Sequence, residues 1–168
     1  MNWDNLGEIS LMTILTLLGI ACFPANPLVL SGVLETAYCL PSYIIGWIVW
    51  AVGMVLVMAP IIMFPHRGGV AKGKTFVHTT KLVDTGIYSV VRHPQYLGGI
   101  LALFLTTLLF YPHWLFVVLG VPGSIIIYYS TMWEEKRLIR QFGDDYIAYM
   151  KRVPRMNIIQ GIIRRRCG

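Results

Sequence analysis

Lysine and arginine are missing from long stretches of this sequence: none precedes Arg67, and none lies between Arg92 and Lys136. All 14 fall in two blocks, 67–92 and 136–166. Charged residues of both signs make up only 13% of the chain and hydrophobic residues 56%, against roughly 25% charged in soluble domains. A chain of 168 residues cannot hide that much apolar surface inside a water-facing shell, so the bilayer is its expected solvent. The lack of an early cation also argues against a cleaved signal peptide. Residues 1–8 offer Asp4 and Glu8 where a positive n-region is needed, and the first apolar segment is expected to stay as a helix. Cysteine is scarce as well. Cys22, Cys39 and Cys167 form no CxxC pair and no His-rich cluster, so no metal site is expected. A Cys22–Cys39 disulfide stays open; free apolar thiols are the simpler expectation.

The net charge of +6 does not point to nucleic acid, because the cations flank apolar runs. They read as cytoplasmic loops under the positive-inside rule, with anionic headgroups as natural partners. Four apolar stretches of about the length a bilayer requires are expected to span, at 9–30, 43–64, 94–111 and 113–133. Pro24 and Pro27 are expected to kink or end the first, and Pro65 ends the second. The connections at 31–42 and 111–113 carry no Lys or Arg. Four spans then put both basic blocks, the N-terminus and the C-terminus on the cytoplasmic side. Trp3, Trp47, Trp50, Trp114 and Trp133 mostly fall near span ends, as interfacial aromatics do. The expected fold is all-α: one polytopic domain over 1–168, with an N-terminal helical hairpin at 1–64.

Tyr111, Pro112 and His113 leave room only for a tight turn, so the third and fourth spans form an antiparallel hairpin. Its open ends bring the region before Pro94 beside the region after Trp133. From Glu134 to Met150, Leu138, Phe142, Tyr146 and Tyr149 recur at helical spacing, opposite Arg137, Arg140, Gln141, Asp144 and Asp145. This pattern predicts an amphipathic cytoplasmic helix, broken at Gly143. The closing Arg164-Arg165-Arg166 run reads as a headgroup anchor, or as a solvated topology signal.

The densest polar segment runs from Lys81 to Gly99. Gly86 follows Asp84-Thr85 in a turn. Pro94 suits the first position of a helix, where its missing N–H costs nothing. Arg92 and His93 then sit at a helix N-terminus, which attracts anions such as a carboxylate, and Arg92 adds a charged partner for one. Taken singly, Arg92 reads as a snorkelling residue, His93 as a cap and Tyr96 as a belt aromatic; their clustering argues for more. Glu134-Glu135 follows the fourth span directly. An acidic pair there is either a dipole-stabilised pair balanced by Lys136 or Arg137, or a site for a cationic group such as an ammonium or sulfonium.

Thr80 to Val83, Gly86-Ile87-Tyr88 and Arg92-His93-Pro94-Gln95-Tyr96, followed by Glu134-Glu135, Phe142-Gly143, Asp145-Tyr146, Tyr149 and Arg152-Val153-Pro154, resemble the isoprenylcysteine carboxyl methyltransferase family, with its related membrane phospholipid N-methyltransferases. The resemblance covers about residues 70–160. It implies an S-adenosylmethionine-dependent methyltransferase set in the bilayer, with 65–168 as the cofactor-binding core and a lipid or lipidated acceptor entering from the membrane. By position, Thr80, Lys81, Leu82 and Val83 would line the adenosyl pocket. Gly86, Tyr88, His93, Pro94, Gln95 and Tyr96 would hold the rest of the cofactor. Glu134 would meet its methionine end or the acceptor, and Glu134, Glu135 and Arg92 would form the catalytic group. Thr80 stands where the family commonly has His. Ser130 stands where the carboxyl methyltransferases place an Arg four residues before the Glu, so an uncharged or amine acceptor fits at least as well as a prenylcysteine carboxylate.

The expected reaction is displacement at a sulfonium methyl group, in which the protein supplies alignment and desolvation. Glu134, Glu135 or His93 would take a proton from an amine acceptor. Two alternatives stay open: an NADPH-dependent membrane reductase related to sterol reductases, and a lipid-binding membrane protein without catalysis.

Overall fold

The computed structural model describes residues 27–35, 39–67 and 81–167. Every regular element among them is helical. One turn, α1 (Pro27–Leu30), precedes the long α2 (Leu40–Arg67). A 3-10 turn at Gly86–Ser89 leads to α3 (Pro94–Phe110), α4 (Trp114–Phe142), α5 (Asp144–Arg152) and α6 (Ile158–Cys167). The expected first span, 9–30, lies outside the described residues except for its last turn, as do residues 68–80 of the first basic block.

Among the described residues, two helices are long and apolar enough to cross a membrane, Leu40–Ala59 within α2 and Trp114–Phe142. In the apolar 18-residue stretch of each, only 17% and 33% is buried by protein, unlike the mostly buried core helix of a soluble domain. At 1.5 Å per residue, the 28 residues of α2 and the 29 of α4 reach over 40 Å, beyond the ~30 Å of a hydrocarbon core.

Three expected boundaries change. α2 begins at Leu40 and runs two residues past Pro65. A proline in the last turn removes one backbone donor without stopping the chain at once. α3 holds a wider π turn at Ile100–Leu105. There Thr106 Oγ1 donates to the Leu101 carbonyl five residues back (2.8 Å), a partner that the looser winding exposes. The stretch from Glu134 is not a separate helix: α4 continues through it to Phe142, because Glu134 to Leu138 are all good helix formers. The break at Gly143 is where the sequence places it. Its φ of 57° is a left-handed value that glycine adopts without a Cβ penalty.

The chain divides into two compact units. The first, 1–53 with 99–128, packs aromatic rings onto glycines. Phe110 lies against Tyr43 and Trp47, at centroid distances of 4.7 and 5.2 Å, and fills the space where Gly46 would carry a Cβ. Phe104 does the same at Gly123, where a Cβ would sit 2.6 Å from the ring tip. Small residues at such crossings let helices approach where lipid supplies no hydrophobic drive. The turn at 111–113 is as tight as expected: Tyr111 N–H closes α3 on Thr107, and His113 accepts from the Phe116 and Leu115 N–H groups that open α4.

The second unit, 54–98 with 129–168, has a more usual core. Tyr146, Tyr149 and Val153 are buried, with Leu82, Leu138, Ile139, Phe142 and Met150 around them. These include the positions whose helical spacing predicts an apolar face. α5 carries Asp144 and Asp145 in its first turn and Lys151 and Arg152 in its last, each matched to the end of the helix dipole it faces.

Candidate active site

The second unit draws its site from three segments. The first is the loop leading into α3. Gly86, at φ 64°, turns the chain into the 3-10 segment, and Tyr88 is buried there. Its carbonyl accepts a 2.7 Å hydrogen bond from Tyr149 Oη, which ties the loop to α5. Pro94 then opens α3 as its buried first residue. The second segment is the charged end of α4, beyond the apolar stretch that finishes at Trp133. The third is the non-helical stretch between α5 and α6. Pro154 and Arg155 use their carbonyls to accept the Arg92 and His93 N–H groups, at 3.0 and 3.1 Å. The orphan donors ahead of a helix are thus satisfied by the chain returning from α5.

These segments meet on one carboxylate. Glu135 is 3% exposed. Its Oε1 lies 3.0 Å from Arg92 Nη1 and 3.3 Å from His93 Nε2. Arg155 grips it with both prongs, Nε to Oε1 at 3.0 Å and Nη2 to Oε2 at 2.5 Å. Burial alone would raise the Glu135 carboxyl. The hydrogen bonds from His93 and Arg155 and the charge of Arg92 outweigh it and bring it down to about 2. A carboxylate taken out of water persists only when paired and hydrogen-bonded in this way. Both of its oxygens are therefore committed to holding cations.

Arg92 is differently placed. Its side chain is 9% exposed, yet among the described residues Nε has no hydrogen-bond partner, and Nη1 meets Glu135 as an ion pair without hydrogen-bond geometry. A buried N–H with no acceptor costs free energy until an anion supplies one. Burial also lifts the Tyr88, Tyr146 and Tyr149 phenols well above the usual tyrosine range, so these rings act as neutral walls and donors.

The residues expected from the sequence divide accordingly. Arg92, His93 and Glu135 come together, and the His93 ring stands edge-on to Tyr96 at 5.6 Å between centroids. Gln95 and Tyr96 are half-buried in the first turn of α3. Glu134 does not join the cluster; it pairs with Arg137 one turn on and keeps 27% of its side chain exposed. Val83 is buried, Leu82 packs against the Tyr146–Tyr149 core, and Lys81 is exposed. Thr80 lies outside the described residues. Ser130, one turn before Glu134, is buried at 8% exposure. Arg155 completes the site without any mark in the sequence. It is one more cation in a basic tail, and only the carbonyl ladder from Pro154 and Arg155 to Arg92 and His93 shows where it goes.

A chain whose described elements are all helical, with two helices of membrane length and a buried ionic site on the stretch of α4 that follows its apolar run, has the make-up of an integral membrane protein. It belongs to the phospholipid methyltransferase family, whose model matches residues 41–145. Among its relatives, the methanethiol S-methyltransferase of Pseudomonas deceptionensis is 31% identical over 64% of this chain and 41% of its own length. The protein-S-isoprenylcysteine O-methyltransferase of Mus musculus is 33% identical over 48% of this chain and 28% of its own. Methanethiol S-methyltransferase 2 of Bradyrhizobium diazoefficiens is 37% identical over 40% and 25%. The chain therefore spans well under half the length of these curated relatives. No solved structure matches it.

Proposed function

We propose that this chain is an S-adenosylmethionine-dependent methyltransferase of the membrane, acting on a lipid-like or thiol acceptor that carries no carboxylate. The observation behind this reading is the division of labour between two adjacent acids. Glu135 is fully engaged by two arginines and a histidine, and Glu134, beside it, is partly exposed and paired with Arg137 alone among the ion pairs of the described residues. Arg92 fits the cofactor: among the described residues its buried Nε–H has no acceptor, which suits the carboxylate of an amino-acid moiety. His93 and Tyr96 would flank that moiety, and Tyr88, Val83 and Leu82 would provide an apolar wall. The cofactor supplies a methyl group already activated on a sulfonium sulfur.

The chain's own residues do the rest. Glu135 holds Arg92 and His93 at the head of α3, so the binding groups are preset before the ligand arrives. Glu134 takes the proton that an N–H or S–H acceptor releases as it is methylated. Ser130 leaves no cation one turn back on α4 to hold an acceptor carboxylate, and the relatives named for methanethiol make a thiol a natural candidate. Four spans, with both termini and the site on the cytoplasmic side, complete the reading, supported by the confinement of Lys and Arg to two blocks.

The test is methyl transfer from a labelled donor by the purified protein in lipid nanodiscs. Phosphatidylethanolamine, a small alkyl thiol and a prenylcysteine serve as acceptors. The proposal expects label on the amine or the thiol, lost in Glu134→Gln. Label on the prenylcysteine carboxylate alone would overturn the acceptor assignment, and oxidation of NADPH instead of methyl transfer would overturn the class.

A further inference from the structure

α6 has a face that no described residue of its own unit covers. Ile158, Ile159, Ile162 and Ile163 recur as i, i+1, i+4 and i+5, one stripe of a helix. Three of them are exposed, Ile159 at 73%, Ile162 at 43% and Ile163 at 56%. The helix is nonetheless well anchored. Asn157 Oδ1 accepts the Gln160 N–H at 2.9 Å, and the Asn157 carbonyl accepts the Gly161 N–H at 3.0 Å. Gly161, off the isoleucine stripe, lies so close to the Val90 carbonyl that no Cβ would fit. Arg164 Nη1 reaches the Lys151 carbonyl at 3.4 Å. A fixed helix thus holds its apolar stripe outward.

The charge beside that stripe has one sign. After Asp145 the sequence has no acidic residue, while Lys151, Arg152, Arg155, Arg164, Arg165 and Arg166 follow. The three terminal arginines are exposed. A short helix with an isoleucine stripe ending in a block of arginine matches a bilayer interface with anionic headgroups. The stripe enters the acyl boundary and the guanidinium groups meet phosphate. A soluble protein partner would need acidic side chains beside an apolar groove; the bilayer provides both features in one surface, and the chain already lies in it.

We infer that α6 is an interfacial helix that seats on anionic lipid and thereby fixes the site's third segment. Arg155 stands two residues before the Asn157 cap, and Val90, which touches Gly161, stands two residues before Arg92. Seating α6 therefore holds both arginines of the Glu135 cluster from outside. The inference rests on the chain's membrane location and not on its chemistry.

Spin labelling tests it. Cys22, Cys39 and Cys167 are changed to Ser, and a nitroxide is placed through Ile159→Cys, Ile163→Cys or, as the polar-face control, Gln160→Cys. Helical circular dichroism verifies folding. In nanodiscs containing phosphatidylglycerol, labels at 159 and 163 should collide several-fold more with oxygen than with a water-soluble nickel chelate, and the label at 160 should do the reverse. Each arginine near an anionic surface is worth about a fivefold gain in partition. Combining Arg164→Gln, Arg165→Gln and Arg166→Gln should therefore lower the seated-to-unseated ratio on the order of a hundredfold. Raising salt to about 1 M, where screening acts within ~3 Å, should release the labels in the parent sequence, which keeps the test sound if the triple variant misfolds. Nickel access at 159 and 163 equal to that at 160 would overturn the inference. So would protection that ignores lipid charge and salt, or dipolar broadening that reveals a second copy on the stripe.

Discussion

The two units bury opposite things. In the first, Ile44, Ile45, Trp47 and Ile48 of α2 face outward, between 48% and 60% exposed. The hydroxyls of Thr106 and Thr107 are fully buried, each bonded to a carbonyl of its own helix. In the second, the buried groups include a carboxylate, a histidine and much of two arginines. Where lipid is the solvent, apolar side chains gain nothing by turning inward, and order comes from close fit, ring against glycine. Where a ligand must be held, order comes from cancelling charge. The first unit should therefore respond to changes of volume and the second to changes of charge.

The largest effect should come from removing the central charge. Glu135→Ala leaves Arg92, His93 and Arg155 facing one another in a buried site and should cost about 3–5 kcal/mol, read as a fall in thermal midpoint in detergent. An unchanged midpoint would erase the contrast. Acid should act through the same group. The Glu135 carboxyl is held at about 2 in the folded chain, below the ~4.3 of a free glutamate. Its stabilising contribution is complete above the unfolded value and is lost as pH falls through the folded one. Between about pH 4.5 and 2 the parent should lose more thermal stability than Glu135→Gln does. Equal acid slopes in the two chains would count against the ionised cluster.

Arg155→Gln removes the two-pronged grip and leaves Arg92 and His93 in place. It should cost ~1.5–3 kcal/mol, the range for hydrogen bonds to a charged group, and weaken cofactor binding; Arg155→Lys should restore less than half, since an ammonium cannot reach both oxygens. Gly161→Ala meets a backbone carbonyl and Gly46→Ala meets the Phe110 ring. The first should cost about 1–3 kcal/mol and the second less, because a ring can tilt. The reverse order would show that the first unit is the more rigid. Smallest in stability is Glu134→Gln, under about 1 kcal/mol for a partly exposed pair. Its methyl transfer should nevertheless fall at least about a hundredfold, as loss of a proton acceptor does.

Much of this arrangement is legible along the chain. The three-residue turn at 111–113 dictates a hairpin, and the hairpin dictates that Arg92-His93 meets the Glu134-Glu135 pair. Leu138, Phe142, Tyr146 and Tyr149 announce the core of the second unit by spacing alone. What stays hidden depends on hydrogen bonds between distant segments. Two adjacent glutamates look alike in the sequence, yet successive residues on a helix point about 100° apart, which puts Glu135 inward and Glu134 toward Arg137. Arg155 is one cation among many until the chain after Pro154 lies beside Arg92. The π turn in α3 is invisible to apolar periodicity, because what accompanies it is a polar contact, the Thr106 hydroxyl on a carbonyl five residues back.

The role proposed for the head of α3, preset by Glu135, is to hold the methyl donor. The decisive experiment is calorimetric titration of the folded, detergent-purified chain with S-adenosylhomocysteine. Micromolar binding is expected, weakened at least about tenfold by Arg92→Lys, since a point ammonium does not reproduce the guanidinium fork. Absence of heat in a sample with its full helical signal, or binding that ignores Arg92, would contradict it.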